Sequence, residues 1–204
     1  MIKYSTNNIK ELEHLYKINL INSATGYKSA NLIGTKSVKC QENIAVFSSV
    51  IHLGSNPALL GFICRPTTVP RHTYKNIIET KTYTINHIHQ DILEDAHHTS
   101  AKYPEDVSEF TKTKLIPEYK DNCTAPFLKD APVQLQLKFI EELPIAANDT
   151  ILVIGEIINL YVKENLLQQD GLIDLAKGNV AAINGLDTYA VPKTNTRFEY
   201  QRPK

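Results

Sequence analysis

Between positions 133 and 139 the chain reads Val-Gln-Leu-Gln-Leu-Lys-Phe, an unbroken apolar–polar alternation that suits an extended strand with one buried face. Five more β-branched or aliphatic runs accompany it: "SANLIGT" (29–35), "NIAVFSSVI" (43–51), "ALLGFICR" (58–65), "KTYTINHI" (81–88) and "DTILVIGEIINLYV" (149–162). Gly, Pro and Asn bound these runs, as they bound strands. The last is long enough for a buried helix, but its Ile and Val content favours a strand, bulged or bent at Gly155. The pattern predicts a mainly β protein with a barrel or curled sheet and peripheral helices.

Helical spacing of Tyr74, Ile77 and Ile78 predicts a helix over 72–80, and 91–101 and 105–113 each supply a few turns. Residues 115–132 hold three prolines and little periodicity, which predicts a long ordered loop that crosses the surface or caps a site. In the polar tail, Phe198 and Tyr200 stand two apart, suited to a last edge pairing or to contact with a partner chain. The expected organisation is a single domain over 1–204, with an N-terminal extension at 1–27 and a tail at 191–204.

Charge and composition exclude several partners. The 22 basic and 22 acidic side chains cancel, leaving no global field for a nucleic acid or an anionic membrane, so any anion site must be local. No run approaches the apolar length of a membrane span, and the first residues carry no secretory pattern, so the expected location is cytoplasmic. Cys40, Cys64 and Cys123 are odd in number and form no CxxC pair, which reads as reduced thiols rather than a disulfide framework or zinc site. The sequons at Asn122 and Asn148 carry no weight in a chain that is not secreted. Neither GxxxxGK[ST], GxGxxG nor GxSxG occurs. His87 and His89 share one strand face while His97 and His98 diverge on a helix, and with no third ligand evident no metal is expected.

An anion-binding composition follows the 58–65 strand. Arg65 and Arg71 flank "PTTVP", whose prolines stiffen the backbone while Thr67 and Thr68 offer hydroxyls, and Thr73 falls at a helix start. Such groups suit a phosphate monoester, each charge-assisted hydrogen bond contributing roughly 1.5–3 kcal/mol. The same residues also suit a solvated strand-to-helix turn. Upstream, Ser48 and Ser49 interrupt an oily strand and "GSNP" (54–57) supplies a tight turn, where backbone can approach a flat ring or simply satisfy itself.

In order along the chain, "NLIGT", "NIAVFSSVIHLGSNPALLGFICRP", "RHTYKNI", "HHTSAKYPEDVSEF" and "GLDTY" resemble the flavin reductase-like, FMN-binding split-barrel family, its flavoredoxin-like branch in particular. The resemblance spans roughly residues 28–190. It implies a split β-barrel, a homodimer, and one FMN per subunit near the interface. It sets Phe47, Ser48 and Ser49 along the flavin ring, Ser55 and Asn56 in the next turn, and Arg65, Arg71 and Thr73 at the phosphate. Asn76 would support that loop or the ribityl chain, and Thr99 and Ser100 would lie beside the flavin of their own or the neighbouring subunit. Where many members carry Lys-Asp-Thr this chain has Arg71-His72-Thr73, keeping the charge but changing its geometry. Many members likewise carry Asn or another small polar group where Ile51 stands. The implied activity is an NADH- or NADPH-dependent flavin reductase, the alternatives being an FMN electron carrier without small-molecule turnover, or a relative that has lost FMN. The electron acceptor stays open.

Overall fold

A computed structural model of the chain describes residues 1–203. Its framework is a seven-stranded antiparallel sheet of β2 (Asn31–Lys36), β3 (Glu42–Phe47), β4 (Ile51–Ser55), β5 (Ala58–Cys64), β6 (Thr82–His87), β9 (Val133–Ile145) and β10 (Thr150–Val162), ordered β3-β2-β6-β9-β10-β5-β4. Three short strands, β1 (Lys28–Ser29), β11 (Ala182–Asn184) and β12 (Thr188–Ala190), form a second sheet ordered β1-β11-β12, and β7 (Pro117–Glu118) pairs with β8 (Phe127–Leu128).

Each of the six apolar runs contains a strand. The run at 43–51 is a correction in detail, because it breaks at Ser48–Val50 and turns a corner into β4 rather than continuing straight. That corner leaves β3 and β4, neighbours in sequence, at opposite ends of the strand order, so the curled sheet stays open between them. Ser49 partly spans the opening: its Oγ accepts from the Ile63 N–H at 3.1 Å and faces the Ile63 carbonyl at 3.3 Å as donor. One side chain thus supplies what a partner strand would give β5 beyond Gly61, where its pairing with β4 has ended.

β9 and β10 form a long hairpin of two 13-residue strands, with register shifts at Ile154/Gly155 and Ile157/Asn159. The expected bulge at Gly155 is present, and its cause is the core. A Cβ there would stand 2.1 Å from the Tyr83 hydroxyl, so the fully buried Tyr83 ring lies directly beneath the glycine. Around that ring pack Ile33, Phe62, Ile77, Ile85, Leu137 and Val153, and a second cluster behind β2 gathers Leu32, Ile44, Ile88, Phe110 and Leu128.

α3 (His72–Thr80) covers the predicted 72–80 helix and buries Ile77. The 91–101 prediction becomes a 3-10 turn (Gln90–Ile92) followed by α4 (Leu93–His98), while 105–113 retains only the 3-10 turn Glu109–Lys112. Residues 115–132 are ordered as expected but are not a surface crossing throughout: Cys123, Ala125, Phe127 and Leu128 are buried. Polar hooks from the sheet hold them, with Thr84 Oγ1 donating to the Pro126 carbonyl at 2.6 Å and the Leu128 N–H donating to Asn86 Oδ1 at 2.9 Å. Gly34 lets that segment approach, since a Cβ there would lie 2.1 Å from the Pro126 oxygen.

The first residues form α1 (Thr6–Glu11), capped by Ser5 in a capping box with Asn8, and α2 (His14–Ser23), and neither helix buries a residue. After β12 the described tail has no regular structure. Phe198 and Tyr200 are exposed there, so the expected edge pairing is not formed within this chain. No helix among the described residues is long and apolar enough to cross a membrane.

Candidate functional site

The corner after β3, the end of β5, the start of α3 and the segment after α4 converge on one cleft of about 1640 Å³. Of the residues singled out from the sequence, Phe47, Ser48, Ser49, Arg65, Arg71, Thr73, Thr99 and Ser100 line it. Chain order scatters them from 47 to 100, and the crossing from β5 into α3 brings them together.

At one end stand the cations. Arg71 is the N-cap of α3 and makes no side-chain cap, so the first-turn N–H groups of the helix lack a side-chain acceptor from that position. Its Nε donates to the Pro66 carbonyl at 3.2 Å, which fixes the guanidinium on the 66–71 turn. Neither Arg71 nor Arg65 forms an ion pair among the described residues. Two unpaired guanidinium groups beside an uncapped helix start make a strong local anion field in a neutral chain. Nearby, burial pushes the Cys64 thiol up to about 11, partly opposed by the Arg71 charge. That sulfur is therefore neutral at physiological pH and does not compete for the arginine.

A buried polar network holds this end in place. Asn43 Nδ2 donates to Thr73 Oγ1 at 3.0 Å and to Thr35 Oγ1 at 3.2 Å, and Asn76 Nδ2 reaches the same Thr35 oxygen at 3.1 Å. Asn76 is therefore a tie between α3 and β2, and the cleft wall does not include it. Ser55 and Asn56 also lie outside the cleft, in the β4–β5 turn, where Ser55 Oγ contacts His52 Nε2 at 3.2 Å.

Along the middle runs the corner itself. β3 is an edge strand, so its outward backbone groups have no strand partner. Glu109, buried in the cleft wall, accepts the Ile44 N–H at 3.0 Å, and burial raises its pKa above the usual carboxylate range. Beyond Phe47, Ser48 and Ser49 line the cleft from a broken strand, with Phe62 packed edge-on against Phe47 at 5.1 Å between ring centroids. Such an edge, apolar behind and polar in front, accepts a flat ring carrying carbonyl and N–H groups.

The opposite wall is the segment at 97–105. Thr99 is buried and its Oγ1 donates to the Ala96 carbonyl at 2.7 Å, whereas Ser100 is exposed. His97 Nδ1 meets the Tyr189 hydroxyl at 3.2 Å, His98 Nε2 meets the Tyr103 hydroxyl at 2.7 Å, and Lys75 ties Glu105 to α3 at 2.6 Å. Both adjacent histidines thus have hydroxyl partners. His87 is half-buried, with its Nδ1 enclosed and unpartnered, and desolvation lowers its pKa to about 4. Among the described residues no group of three or more His, Cys, Asp and Glu converges as a metal site.

Several wall residues went unnamed in the sequence reading. Glu109 and Tyr103 lie inside the quoted stretch "HHTSAKYPEDVSEF", so that motif contained their signal. Leu186 and Asp187 likewise lie inside the quoted "GLDTY", whereas Ile21, Asn22 and Tyr27 also line the cleft and nothing local in the sequence points to them.

A family model, the flavin reductase like domain, matches residues 27–180. An uncharacterized protein of Aquifex aeolicus is 28% identical over 130 residues, a match covering 63% of this chain and 65% of that protein, under two thirds of its length. A crystal structure from Shewanella frigidimarina, of a protein with a split barrel domain named as a flavin reductase, is 46% identical with a TM-score of 0.95, covering 98% of this chain and 100% of that one. The flavoredoxin of Desulfovibrio vulgaris shares the fold at a TM-score of 0.75 and 22% identity, over 86% of this chain and 92% of that one.

Proposed function

Because the chain belongs to the flavin reductase like domain family and folds as its split barrel, we propose that it is an FMN-binding oxidoreductase that draws electrons from NADH or NADPH. One observation carries this reading: Arg65, Arg71 and the uncapped start of α3 sit at one end of a cleft whose middle is the open edge at Phe47, Ser48 and Ser49. A phosphate and a flat polar ring are what such an arrangement fits.

In this reading Arg71 and Arg65 hold the FMN phosphate, and Thr73, braced by Asn43, offers its hydroxyl proton to the same oxygens. The N–H and C=O groups around Ser48 and Ser49 meet the ring edge, while Phe47 and Phe62 keep water from the apolar side. Thr99 and Ser100 close the opposite wall. Bound flavin supplies reversible two-electron chemistry at its ring, so the chain needs no nucleophile or acid–base pair. Its residues orient the ring, screen it from solvent and leave one face reachable.

The protein acts in this reading as a homodimer, with the edge strand β4 in the contact. Ile51 and Leu53 on β4 are 47% and 40% exposed, and Ile158 and Leu160 on β10 are 48% and 50%, an apolar surface that a second copy would cover. Three free cysteines fit the reducing cytoplasm.

The test is FMN affinity beside riboflavin affinity. Arg71→Ala is expected to weaken FMN binding about 10- to 100-fold, corresponding to the roughly 1.5–3 kcal/mol of a charge-assisted contact, and to leave riboflavin binding nearly unchanged. Equal losses for both would remove Arg71 from the phosphate. Anaerobic mixing of the FMN-loaded protein with NADH or NADPH tests the donor, and no bleaching by either sinks the reductase assignment.

A further inference from the structure

Glu109 is a charged side chain to which the proposed function gives no task. It is 5% exposed, lines the cleft, and forms no ion pair among the described residues. A carboxylate in the wall of a cleft that takes a phosphate repels the ligand, and burying it costs free energy besides. Burial accordingly raises its pKa above the usual carboxylate range, opposed by the hydrogen bond from the Ile44 N–H.

The placement of this carboxylate is fixed from its own turn outward. Glu109 opens the 3-10 turn Glu109–Lys112, whose next residue, Phe110, belongs with Ile44 to the core cluster behind β2. Thr113 Oγ1 donates to the Glu109 carbonyl at 2.9 Å and Thr111 Oγ1 to the Ser108 carbonyl at 2.7 Å, so the turn braces its own backbone. From there Glu109 Oε2 accepts the Ile44 N–H at 3.0 Å. β3 has a strand partner on one side only, and Glu109 supplies the acceptor that a second strand would give this N–H.

One residue earlier on the same strand, Asn43 reaches the phosphate end. Its Nδ2 donates to Thr73 Oγ1 at 3.0 Å and to Thr35 Oγ1 at 3.2 Å, and all three residues are buried. A hydroxyl that accepts from an amide keeps its own proton to give. The Thr73 O–H donates to no acceptor among the described residues, and Thr73 lines the cleft.

We propose that Glu109 is a positioning residue for the ligand's phosphate: by pinning β3 at Ile44 it sets Asn43 against Thr73, and so directs the Thr73 proton into the cleft. Glu109 acts here as an acceptor rather than as a charge, which separates its role from those of Arg65 and Arg71. The inference rests on the FMN reading for the identity of the ligand.

The experiment measures FMN and riboflavin affinities of the full-length protein and reads their ratio, the preference for the phosphorylated ligand. Glu109→Leu keeps the bulk and removes the acceptor; it and Thr73→Val are each expected to lower that preference about fivefold, the loss of one hydrogen bond to the phosphate. In the double variant the preference falls no further than in Thr73→Val, because both changes remove the same bond. Glu109→Gln retains an acceptor and sheds the charge, and is expected to match or exceed the preference of the parent. Asn43→Ala breaks the link between the two residues and is expected to match Thr73→Val, which decides the inference if Glu109→Leu does not fold. A merely structural Glu109 predicts equal losses for FMN and riboflavin, and effects of Glu109→Leu and Thr73→Val that multiply. Either result overturns the inference, as does a Glu109→Gln that behaves like Glu109→Leu. If the parent binds no FMN, the flavin reading falls. Inorganic phosphate, titrated into the flavin-free protein and followed at the Thr73 amide resonance, then decides the positioning role by the same ranking of variants, and no response to phosphate overturns it.

Discussion

Replacing Gly155 with alanine tests the packing that shapes the barrel. Elsewhere in a strand this change removes backbone entropy from the unfolded chain and stabilises by about 0.4–1 kcal/mol. Here the added Cβ would meet Tyr83 Oη at 2.1 Å, Cζ at 2.9 Å and Cε1 at 3.0 Å. Ordinary contact begins near 3.4 Å, so the hydroxyl must retreat by about 1.3 Å (3.4 − 2.1) inside a fully buried cluster. Overpacking of this kind costs about 1–3 kcal/mol, and the size of the shift places Gly155→Ala near 3. The tyrosine hydroxyl also has no hydrogen-bond partner, a debt of about 1–3 kcal/mol that Tyr83→Phe removes. Tyr83→Phe is therefore expected to be neutral or stabilising, by up to about 1–2 kcal/mol. In that background the nearest atom is Cζ at 2.9 Å, the required shift falls to about 0.5 Å (3.4 − 2.9), and the glycine substitution costs about 1 kcal/mol. Urea denaturation of the four proteins of the cycle measures a coupling of about 2 kcal/mol. Additive effects, or a Gly155→Ala cost below about 0.5 kcal/mol, would refute the claim that Tyr83 imposes the bulge.

Three other substitutions separate structure from binding. Ser49→Ala strips both polar partners from the Ile63 backbone and is expected to cost about 1–2 kcal/mol in a denaturant melt, with weaker FMN binding because the corner loosens. Asn76→Ala breaks the tie to Thr35 and is expected to lose about 1–2 kcal/mol of stability while FMN affinity falls far less than in Arg71→Ala; the reverse ranking would make Asn76 a direct contact. His87 has its pKa lowered from 6.5 to about 4 by burial, so the stability it contributes is complete above pH 6.5 and is lost as pH falls through that window. Melts at pH 7 and pH 4 are expected to show roughly 3 kcal/mol less acid loss in His87→Leu than in the parent, and parallel acid slopes would show that His87 is not the titrating group.

The family motifs were legible because they are local. The resemblance assigned Phe47-Ser48-Ser49, Arg65, Arg71 and Thr73 from short stretches of neighbouring residues, and eight of the residues named from the sequence line one cleft. Ser55, Asn56 and Asn76 lie near the others in the chain but outside the cleft, since the β4–β5 turn and the inward face of α3 point elsewhere. No sequence period reports which way a turn or a half-polar helix face will be directed once packed.

By itself, then, the amino-acid order determined the strands, the α3 helix and the anion-binding composition after β5, because each depends on neighbours within a few residues, whereas the Gly155 bulge was legible only as a glycine in a strand, its cause being Tyr83 across the core. Tertiary structure alone decided the rest. Breaking the 43–51 run at Ser48 depends on Ser49 meeting Ile63 across the open edge, a contact 14 residues away. Drawing residues 21–28 and 183–187 into one wall depends on Lys28 bridging to Gly185, 157 residues away. Contacts at such separation leave no period in the chain, because they are chosen by which surfaces remain unpaired after the local elements have formed.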